Sequence, residues 1–467
     1  MPISSYKSAA VVFLALACSS LVAPPANATG AQQIASVAVG VCSEDPKIAK
    51  IWKDFQRQAL SRDKCARPYR FLNVPLQGKP ETASLQDGSS KPFCDVQPNP
   101  NFMAGRGLRR HLNPEYRIHV VGITDSKHRT SSSPGRDYKE YFNFLLNGLN
   151  SITDVPSNYQ ISFSSGYKEV TNDFKGRKLG FANSTKEQKE IITQETIDLY
   201  DSEVDFSSFD KLFIFVPPTV SRDLFVHGVT SWRSFSSDEG SVHGPYLGGR
   251  INDFKHKGWL SGEPFGLIHE LFHVAGGVSD DHYGAWPAGT PNSQRRGPAP
   301  GGTGNWGNMS GGLMDWLAWD KYLARMIGED QLHCSTGKTQ ESFWLRPSTH
   351  QTNQPKLLLI KTGTTTAVAI ESIRASGFSH KIPTRHHGAL VYKIDTSIVD
   401  HGLGVEVIRP PYRKGKGWSS WRDRSVYDFH YADAALKTGE ALSFSGFKIE
   451  VIESGPFGDV IRVSPTN

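Results

Sequence analysis

The sequence predicts an α+β protein built from two differently organised parts. Up to about residue 345, stretches with helical spacing alternate with short apolar runs, which indicates helices packed on a mixed sheet. From about residue 346 apolar residues recur at every second position between turn residues, which is typical of a β-sandwich. The chain has 467 residues, 38% of them hydrophobic and 21% charged, which is enough for two or three folded domains.

The first part contains two apolar runs and three stretches with helical spacing. The runs predict buried strands, and the stretches predict helices whose apolar side chains share one face. Thr185 is the expected N-cap of the second helix, because Gln188 three residues later completes a capping box. The strands lie at residues 117–123 and 211–216, and the helices lie at residues 138–149, 186–200 and 317–327.

The second part predicts six short strands separated by turns. They lie at residues 356–361, 365–373, 389–394, 405–408, 441–449 and 460–463. We therefore divide the chain into four segments. These are a leader at residues 1–28, an N-terminal region at 29–114 that is either a propeptide or part of the mature protein, an α+β domain at 115–345, and a β-rich domain at 346–467.

The N-terminus is typical of a secretory signal peptide. Lys7 supplies a positive charge, residues 9–17 form an apolar stretch too short to cross a bilayer, and residues 26–28 (ANA) form a small-residue cleavage pattern. We therefore predict a secreted, extracellular protein that is cut after Ala28 and has no stable membrane insertion. Processing as a lipoprotein at Cys18 is the alternative.

The overall charge argues against a nucleic-acid partner. A net charge of +6 is small for this length, and the basic run at residues 106–110 is not interleaved with aromatic residues. The composition does not indicate an oligomeric state.

The motif that carries chemistry lies at residues 265–282, FGLIHELFHVAGGVSDDH. On a helix, His269 and His273 share one face, so two imidazoles can point at one metal ion. Glu270 lies on the same turn, where its carboxylate can reach a water on that ion. HExxH is typical of zinc hydrolases, so Zn²⁺ is the expected cofactor and Glu270 the expected general base. The alternative is a buried helix whose two histidines have only structural hydrogen bonds.

The third metal ligand is left open by the motif itself. A catalytic zinc site needs three protein ligands and one open position. The turn after Gly276 offers Asp280, Asp281 and His282. Imidazole is in general the better zinc ligand, which favours His282. Position favours Asp280, which is nearest to where the turn should pass under the metal.

The order of motifs resembles the metzincin-like zinc peptidases, and more closely the immune inhibitor A family of secreted bacterial metallopeptidases. HExxHxxG at residues 269–276 is followed by a turn with Asp, a Gly-rich loop, residues 308–312 (NMSGG) and residues 318–322 (AWDKY). Residues 371–374 (ESIR) and 388–395 (GALVYKID) are similar to that family's strand pair after the catalytic domain. The resemblance covers roughly residues 115–463.

This resemblance implies a zincin-type, metzincin-like catalytic domain with a mixed sheet and an active-site helix. It implies that Asp280 joins the two histidines as the third ligand and that Met309 forms an apolar floor beneath the metal. Protein or peptide substrates are expected, with Glu270 passing a water proton to the leaving amine. Ser279 stands where the family pattern has its ligand, so His282 remains the alternative.

Four cysteines remain after removal of the leader, namely Cys42, Cys65, Cys94 and Cys334. An even number in an oxidising compartment predicts two disulfides. Three of the four precede residue 95, so if all four pair, at least one bridge joins Cys334 to the N-terminal region. The alternative is that the Cys42 thiolate blocks the metal in a proenzyme.

Two other functions remain open on the sequence alone. A secreted binding or adhesion protein could use the metal helix only structurally, and a zinc hydrolase could act on small-molecule amides or esters. A structural zinc site is normally closed by four protein ligands and has no use for Glu270, which favours an enzyme.

Overall fold

The computed structural model describes most of the chain from residue 115 onward and a short segment before it. The described residues are 92–97, 115–155, 158–180, 183–221, 223–225, 228–229, 233–249, 263–274, 302–303, 306–310, 315–350, 352–375, 379, 382–398, 404–413 and 431–466. The predicted signal peptide and most of region 29–114 lie outside them. Within these ranges no helix is long and apolar enough to cross a membrane.

The first part of the chain forms a five-stranded mixed sheet and a separate two-stranded hairpin. The strands in chain order are β1 (Glu115–Thr124), β2 (Asn158–Glu169), β3 (Lys211–Phe215), β4 (Gly228–Val229), β5 (Ser234–Ser237), β6 (Gly240–His243) and β7 (Tyr246–Gly248). The sheet order is β2-β1-β3-β7-β4, and β5 pairs with β6. All neighbours in the five-stranded sheet are parallel except β4, which runs antiparallel to β7 at the edge. The strands predicted at residues 117–123 and 211–216 are confirmed as β1 and β3.

Alternating side chains of β1 and β3 face two different cores, because successive residues of a strand point to opposite sides of a sheet. On one side, helix α1 (Pro134–Ile152) packs its aromatic face against Val120 and Phe213. On the other side, helix α2 (Lys186–Tyr200) packs against Val121 and Leu212. Both predicted helices are confirmed, and Thr185 forms the predicted capping box with Gln188.

Helix α3 (Glu263–Val274) lies on the same side of the sheet as α1 and packs against α1 and the edge strand β4. Its second residue is Pro264, which suits a first turn because the first backbone N–H groups of a helix have no intrahelical partner. A further helix, α4 (Ala318–Leu323), is shorter than the stretch predicted at residues 317–327. The helix stops early because Arg325 adopts a left-handed backbone with φ of 56°.

The second part of the chain forms two packed sheets. The strands are β8 (Leu332–Ser335), β9 (Glu341–Leu345), β10 (Leu357–Lys361), β11 (Thr366–Ile373), β12 (Gly388–Asp395), β13 (Val405–Val407), β14 (Ala441–Phe444), β15 (Phe447–Gly455) and β16 (Gly458–Pro465). One sheet has the order β13-β12-β11-β10-β8 and the other β14-β15-β16-β9. Apolar residues of both sheets form a common core. The sheets begin before residue 346, because β8 pairs with β10 and β9 pairs with β16.

The single strand predicted at residues 441–449 is wrong. The chain turns back at Ser445 and Gly446, so that Phe444 pairs with Phe447 across a two-residue hairpin. Both turn residues have positive φ, 50° and 85°, which is the conformation that a tight hairpin of this kind requires. Leu442 and Phe444 precede the turn at even positions, whereas Phe447 and Ile449 follow it at odd positions, so the apolar alternation shifts by one residue at the turn. The prediction joined the two alternating stretches into one strand.

A short segment before the first strand is attached to the C-terminal sheets. Cys94, in a 3-10 helix at Pro92–Asp95, forms a disulfide with Cys334 of β8, with the two Cα atoms 5.4 Å apart. Gln97 N–H donates to the Thr364 carbonyl at 2.7 Å, and Lys361 Nζ donates to the Asp95 carbonyl at 2.6 Å. The described part of the N-terminal region is therefore joined to the second part of the chain. Cys42 and Cys65 lie outside the described residues.

Candidate metal centre

Helix α3 has one buried face, and the motif residues lie on the opposite face. Leu267 and Phe272 are fully buried in the core, as are the two residues adjacent to them within the helix, Ile268 and Leu271. His269 and Glu270 are only partly buried. Because each residue advances the helix by about 100°, positions 269, 270 and 273 fall on the side opposite the four buried residues. This arrangement is unlike the alternative of a fully buried helix with histidines inside the core.

One ring nitrogen of His269 is engaged by the backbone. Nδ1 lies 3.2 Å from the carbonyl oxygen of Asn308, which belongs to a 3-10 helix at Asn308–Ser310. A carbonyl only accepts hydrogen bonds, so Nδ1 must donate and therefore carries a proton. In the neutral ring the lone pair is then on Nε2. Histidines that bind metals commonly have this second contact, which fixes both the tautomer and the ring orientation.

Met309 lies directly after the residue that contacts His269. Its side chain is fully buried and belongs to the same apolar core as α3. The indole Nε1 of Trp316 donates to the Met309 sulfur at 3.3 Å. The indole also stacks on Phe272 of α3, with ring centroids 4.7 Å apart and the planes 14° from parallel. Met309 therefore lies in the core next to the motif helix, and its role as a floor beneath a metal remains a prediction.

The segment around Trp316 contains a buried ion pair of its own and contacts one buried carboxylate of the C-terminal sheets. Lys321 Nζ lies 2.6 Å from Asp315 Oδ2, and both side chains are almost completely buried. The Glu371 carboxylate on β11 accepts a hydrogen bond from the backbone N–H of Ala318 at 3.1 Å. Burial raises the pKa of Asp315, and it raises the pKa of Glu371 to about 7. These contacts join α4 to β11.

Several predicted site residues lie outside the described part of the chain. They are the side chain of His273 and the turn residues Asp280, Asp281 and His282. Among the residues that the structure describes, no group of three or more His, Cys, Asp or Glu side chains could hold a metal ion. The ligand set His269, His273 and Asp280 therefore stays a prediction, and so does the alternative with His282.

Sequence reasoning missed the residues that support the motif. Trp316 stacks on Phe272 of the motif helix, and the Asn308 carbonyl contacts His269. Neither residue belongs to a known metal-binding sequence pattern. No spacing pattern in the sequence links Trp316 to Phe272, since the two rings meet only in the tertiary structure. The phenol of Tyr322, in the segment that follows, donates to the Glu329 carboxylate at 2.7 Å.

Comparisons of the chain with protein-family models, with curated proteins and with solved structures each find no match. The site is therefore assigned from its own residues and their contacts.

Proposed function

We propose that this protein is a secreted zinc endopeptidase, with His269, His273 and Asp280 as metal ligands and Glu270 as general base. The observation that carries the proposal is the arrangement of HExxH on α3. The motif residues lie opposite the buried face of the helix, and the Nδ1 atom of His269 is held by the Asn308 carbonyl. The resemblance to the immune inhibitor A family supports Asp280 as third ligand, with His282 as the alternative.

The donor chemistry of this helix fits a zinc ion. The contact with Asn308 leaves the lone pair of His269 on Nε2, which is the atom that a metal would take. When bound, Zn²⁺ acts as a Lewis acid that lowers the pKa of a bound water and polarises a carbonyl group. Glu270 follows directly in the helix, where its carboxylate can accept the water proton and deliver it to the leaving amine.

A catalytic zinc site that hydrolyses peptides is favoured over a purely structural zinc site. A structural zinc site is closed by four protein ligands and needs no adjacent carboxylate that is only partly buried. Glu270 is such a carboxylate, next to a histidine whose second nitrogen is already oriented. The expected substrates are proteins or peptides, on the basis of the family resemblance.

The direct test is proteolysis of casein by the purified secreted protein, before and after treatment with a metal chelator. We expect cleavage that the chelator abolishes and that stoichiometric zinc restores. A protein that binds zinc but cleaves neither casein nor other denatured proteins would point to a hydrolase of small-molecule amides or esters. A protein that retains all activity without metal would contradict the proposal.

A further inference from the structure

Trp316 contacts two parts of the site, the motif helix α3 and Met309. Its ring stacks nearly parallel on Phe272, which lies between the two motif histidines in the sequence. Its N–H donates to the sulfur of Met309, the residue that follows the backbone partner of His269. A flat indole with these two contacts restricts rotation of α3 about its axis and fixes the side chain of Met309. Trp316 itself is 1% exposed.

The backbone around Trp316 is held by side chains from the second part of the chain. Asp315 N–H donates to Ser379 Oγ at 2.9 Å. Further on, Trp319 N–H donates to the Tyr392 hydroxyl at 3.3 Å. The buried Lys321 ammonium links the Asp315 carboxylate to the Ser348 carbonyl, at 2.6 and 3.0 Å. Segment 315–321 is therefore fixed to the C-terminal sheets on both sides of the indole.

We propose that Trp316 is a positioning residue of the metal centre, and that the C-terminal sheets determine the geometry of that centre through it. The inference rests on the proposed zinc function and deepens it, because it assigns the β-rich part of the chain a role in the site. Apolar side chains of α3, α4 and one face of the sheet that contains β10, β11 and β12 belong to one core. That sheet and the motif helix therefore share one apolar core.

The physical reason is the small tolerance of a tetrahedral metal site. A zinc site holds its ligands at fixed distances, so rotation of α3 displaces the His269 imidazole relative to the other ligands. The Asn308 carbonyl orients the ring only if the 3-10 helix that carries it stays in place. Trp316 fixes the 3-10 helix through Met309 and helix α3 through Phe272. It therefore positions both segments that meet in the contact between His269 and Asn308.

The experiment compares zinc affinity of the full-length protein and three variants by competition with a chromophoric chelator. Trp316→Phe keeps an aromatic ring but loses the N–H donor, and Trp316→Leu loses both contacts. Trp344→Phe is the matched control, because its indole on β9 also donates a hydrogen bond, to the Phe457 carbonyl at 3.2 Å. The buried apolar residues of β9 belong to the core between the two C-terminal sheets and not to the core of the motif helix. Thermal unfolding of the apo forms measures the general loss of stability in each variant.

We expect zinc affinity to fall about 10–100-fold in Trp316→Leu, which is the usual range for residues that orient metal ligands. In Trp316→Phe the affinity should fall by less, because the phenyl ring can still stack on Phe272. The control should bind zinc like the wild type even if its melting temperature falls. With Co²⁺ in place of zinc, the visible absorption bands should change in the Trp316 variants and not in the control.

The outcomes separate this inference from the proposed function. If the wild type binds zinc and both Trp316 variants bind it equally well, with unchanged cobalt spectra, Trp316 has only a packing role and the inference is overturned. The same conclusion follows if Trp344→Phe loses as much affinity as Trp316→Phe. If Trp316→Leu does not fold, Trp316→Phe decides. A wild type that binds no zinc would overturn the proposed function and this inference together.

Discussion

The Nδ1 atom of His269 and the carbonyl oxygen of Asn308 lie 3.2 Å apart, although 39 positions separate the two residues in the sequence. The contact connects the motif helix to the 3-10 helix that carries Met309. It brings together two motifs that lie apart in the sequence, HExxH and NMSGG. The contact also selects the tautomer of His269, because a carbonyl can only accept a hydrogen bond and Nδ1 must therefore carry the proton.

Replacement of Glu270 by Gln tests the general base. The amide keeps the size and polarity of the side chain but does not take up a proton from water. We expect activity on casein to fall by at least ~100-fold, which is the usual scale for loss of a general base, while the bound zinc remains stoichiometric. Activity and zinc content are measured on the same preparation.

Glu187→Gln on α2 is the matched control for this variant, since Glu187 is exposed and belongs to another helix. It should keep full activity. Proteolysis by Glu270→Gln close to the wild-type rate would mean that another group accepts the proton.

The three donors after Gly276 are distinguished by single Ala variants of Asp280, Asp281 and His282. If Asp280 is the third ligand, Asp280→Ala loses zinc at concentrations at which Asp281→Ala retains it. His282→Ala should keep most of the metal, or bind it about 10–100-fold more weakly if His282 hydrogen-bonds the ligating carboxylate. Zinc content after dialysis gives the answer. Loss of metal from His282→Ala with full retention by Asp280→Ala would establish a three-histidine site instead.

The parts of the fold that the sequence predicted well are those with a strong local signal. β3 is apolar at every position after Lys211 and is buried throughout, and α2 begins where the Thr185–Gln188 capping box predicts. β2 was missed, because it is a partly exposed edge strand with many polar side chains. Its pairing with β1 is a long-range contact, and local periodicity does not encode it.

In the candidate site, too, the residues with a local sequence signal were predicted, and those that meet only in the tertiary structure were not. Spacing alone predicts His269 and His273 as ligands and Glu270 as the base, because metal ligation on a helix demands a fixed interval. The supporting contacts of Trp316 depend on the folding of segment 315–321 onto β11 and β12. No rule of spacing links Glu371 to Ala318, since the two residues meet only in the tertiary structure.

The disulfide between Cys94 and Cys334 closes a loop across 240 positions of sequence. The double variant Cys94→Ser/Cys334→Ser should lower the free energy of unfolding by about 2–4 kcal/mol, mostly because the unfolded chain gains freedom. Denaturant unfolding with and without a reducing agent measures this, and the reducing agent should have little effect on the double variant.

The same bridge predicts that the N-terminal segment stays attached after proteolytic cleavage anywhere between residues 98 and 114. The two fragments should migrate together in a non-reducing gel and separate after reduction. Thiol titration of the denatured, unreduced protein should find no free thiol if Cys42 and Cys65 also pair. Release of the N-terminal fragment without reduction would contradict the bridge, and a free thiol would favour the Cys42 alternative.

The last prediction concerns the pH dependence of stability, to which Glu371 and His333 contribute with opposite sign. Burial raises the pKa of Glu371 from 4.5 to about 7, so its contribution is fully present below pH 4.5 and is lost as the pH rises to 7. Burial lowers the pKa of His333 from 6.5 to about 4, so its contribution is present above pH 6.5 and is lost as the pH falls to 4. Between pH 4.5 and 6.5 the two slopes partly cancel.

Glu371→Gln should remove one slope and leave the other, while an amide oxygen can still accept from the Ala318 N–H. Between pH 4.5 and 7, unfolding free energy should therefore rise more steeply with pH in this variant than in the wild type, by on the order of 2–3 kcal/mol in total. His333→Gln should show the opposite change, and Glu187→Gln on the surface of α2 should show neither. Urea unfolding at pH 4.5, 5.5, 6.5 and 7.5 measures all four proteins. Parallel curves for Glu371→Gln and the wild type would mean that the Glu371 carboxyl titrates alike in the folded and unfolded chains.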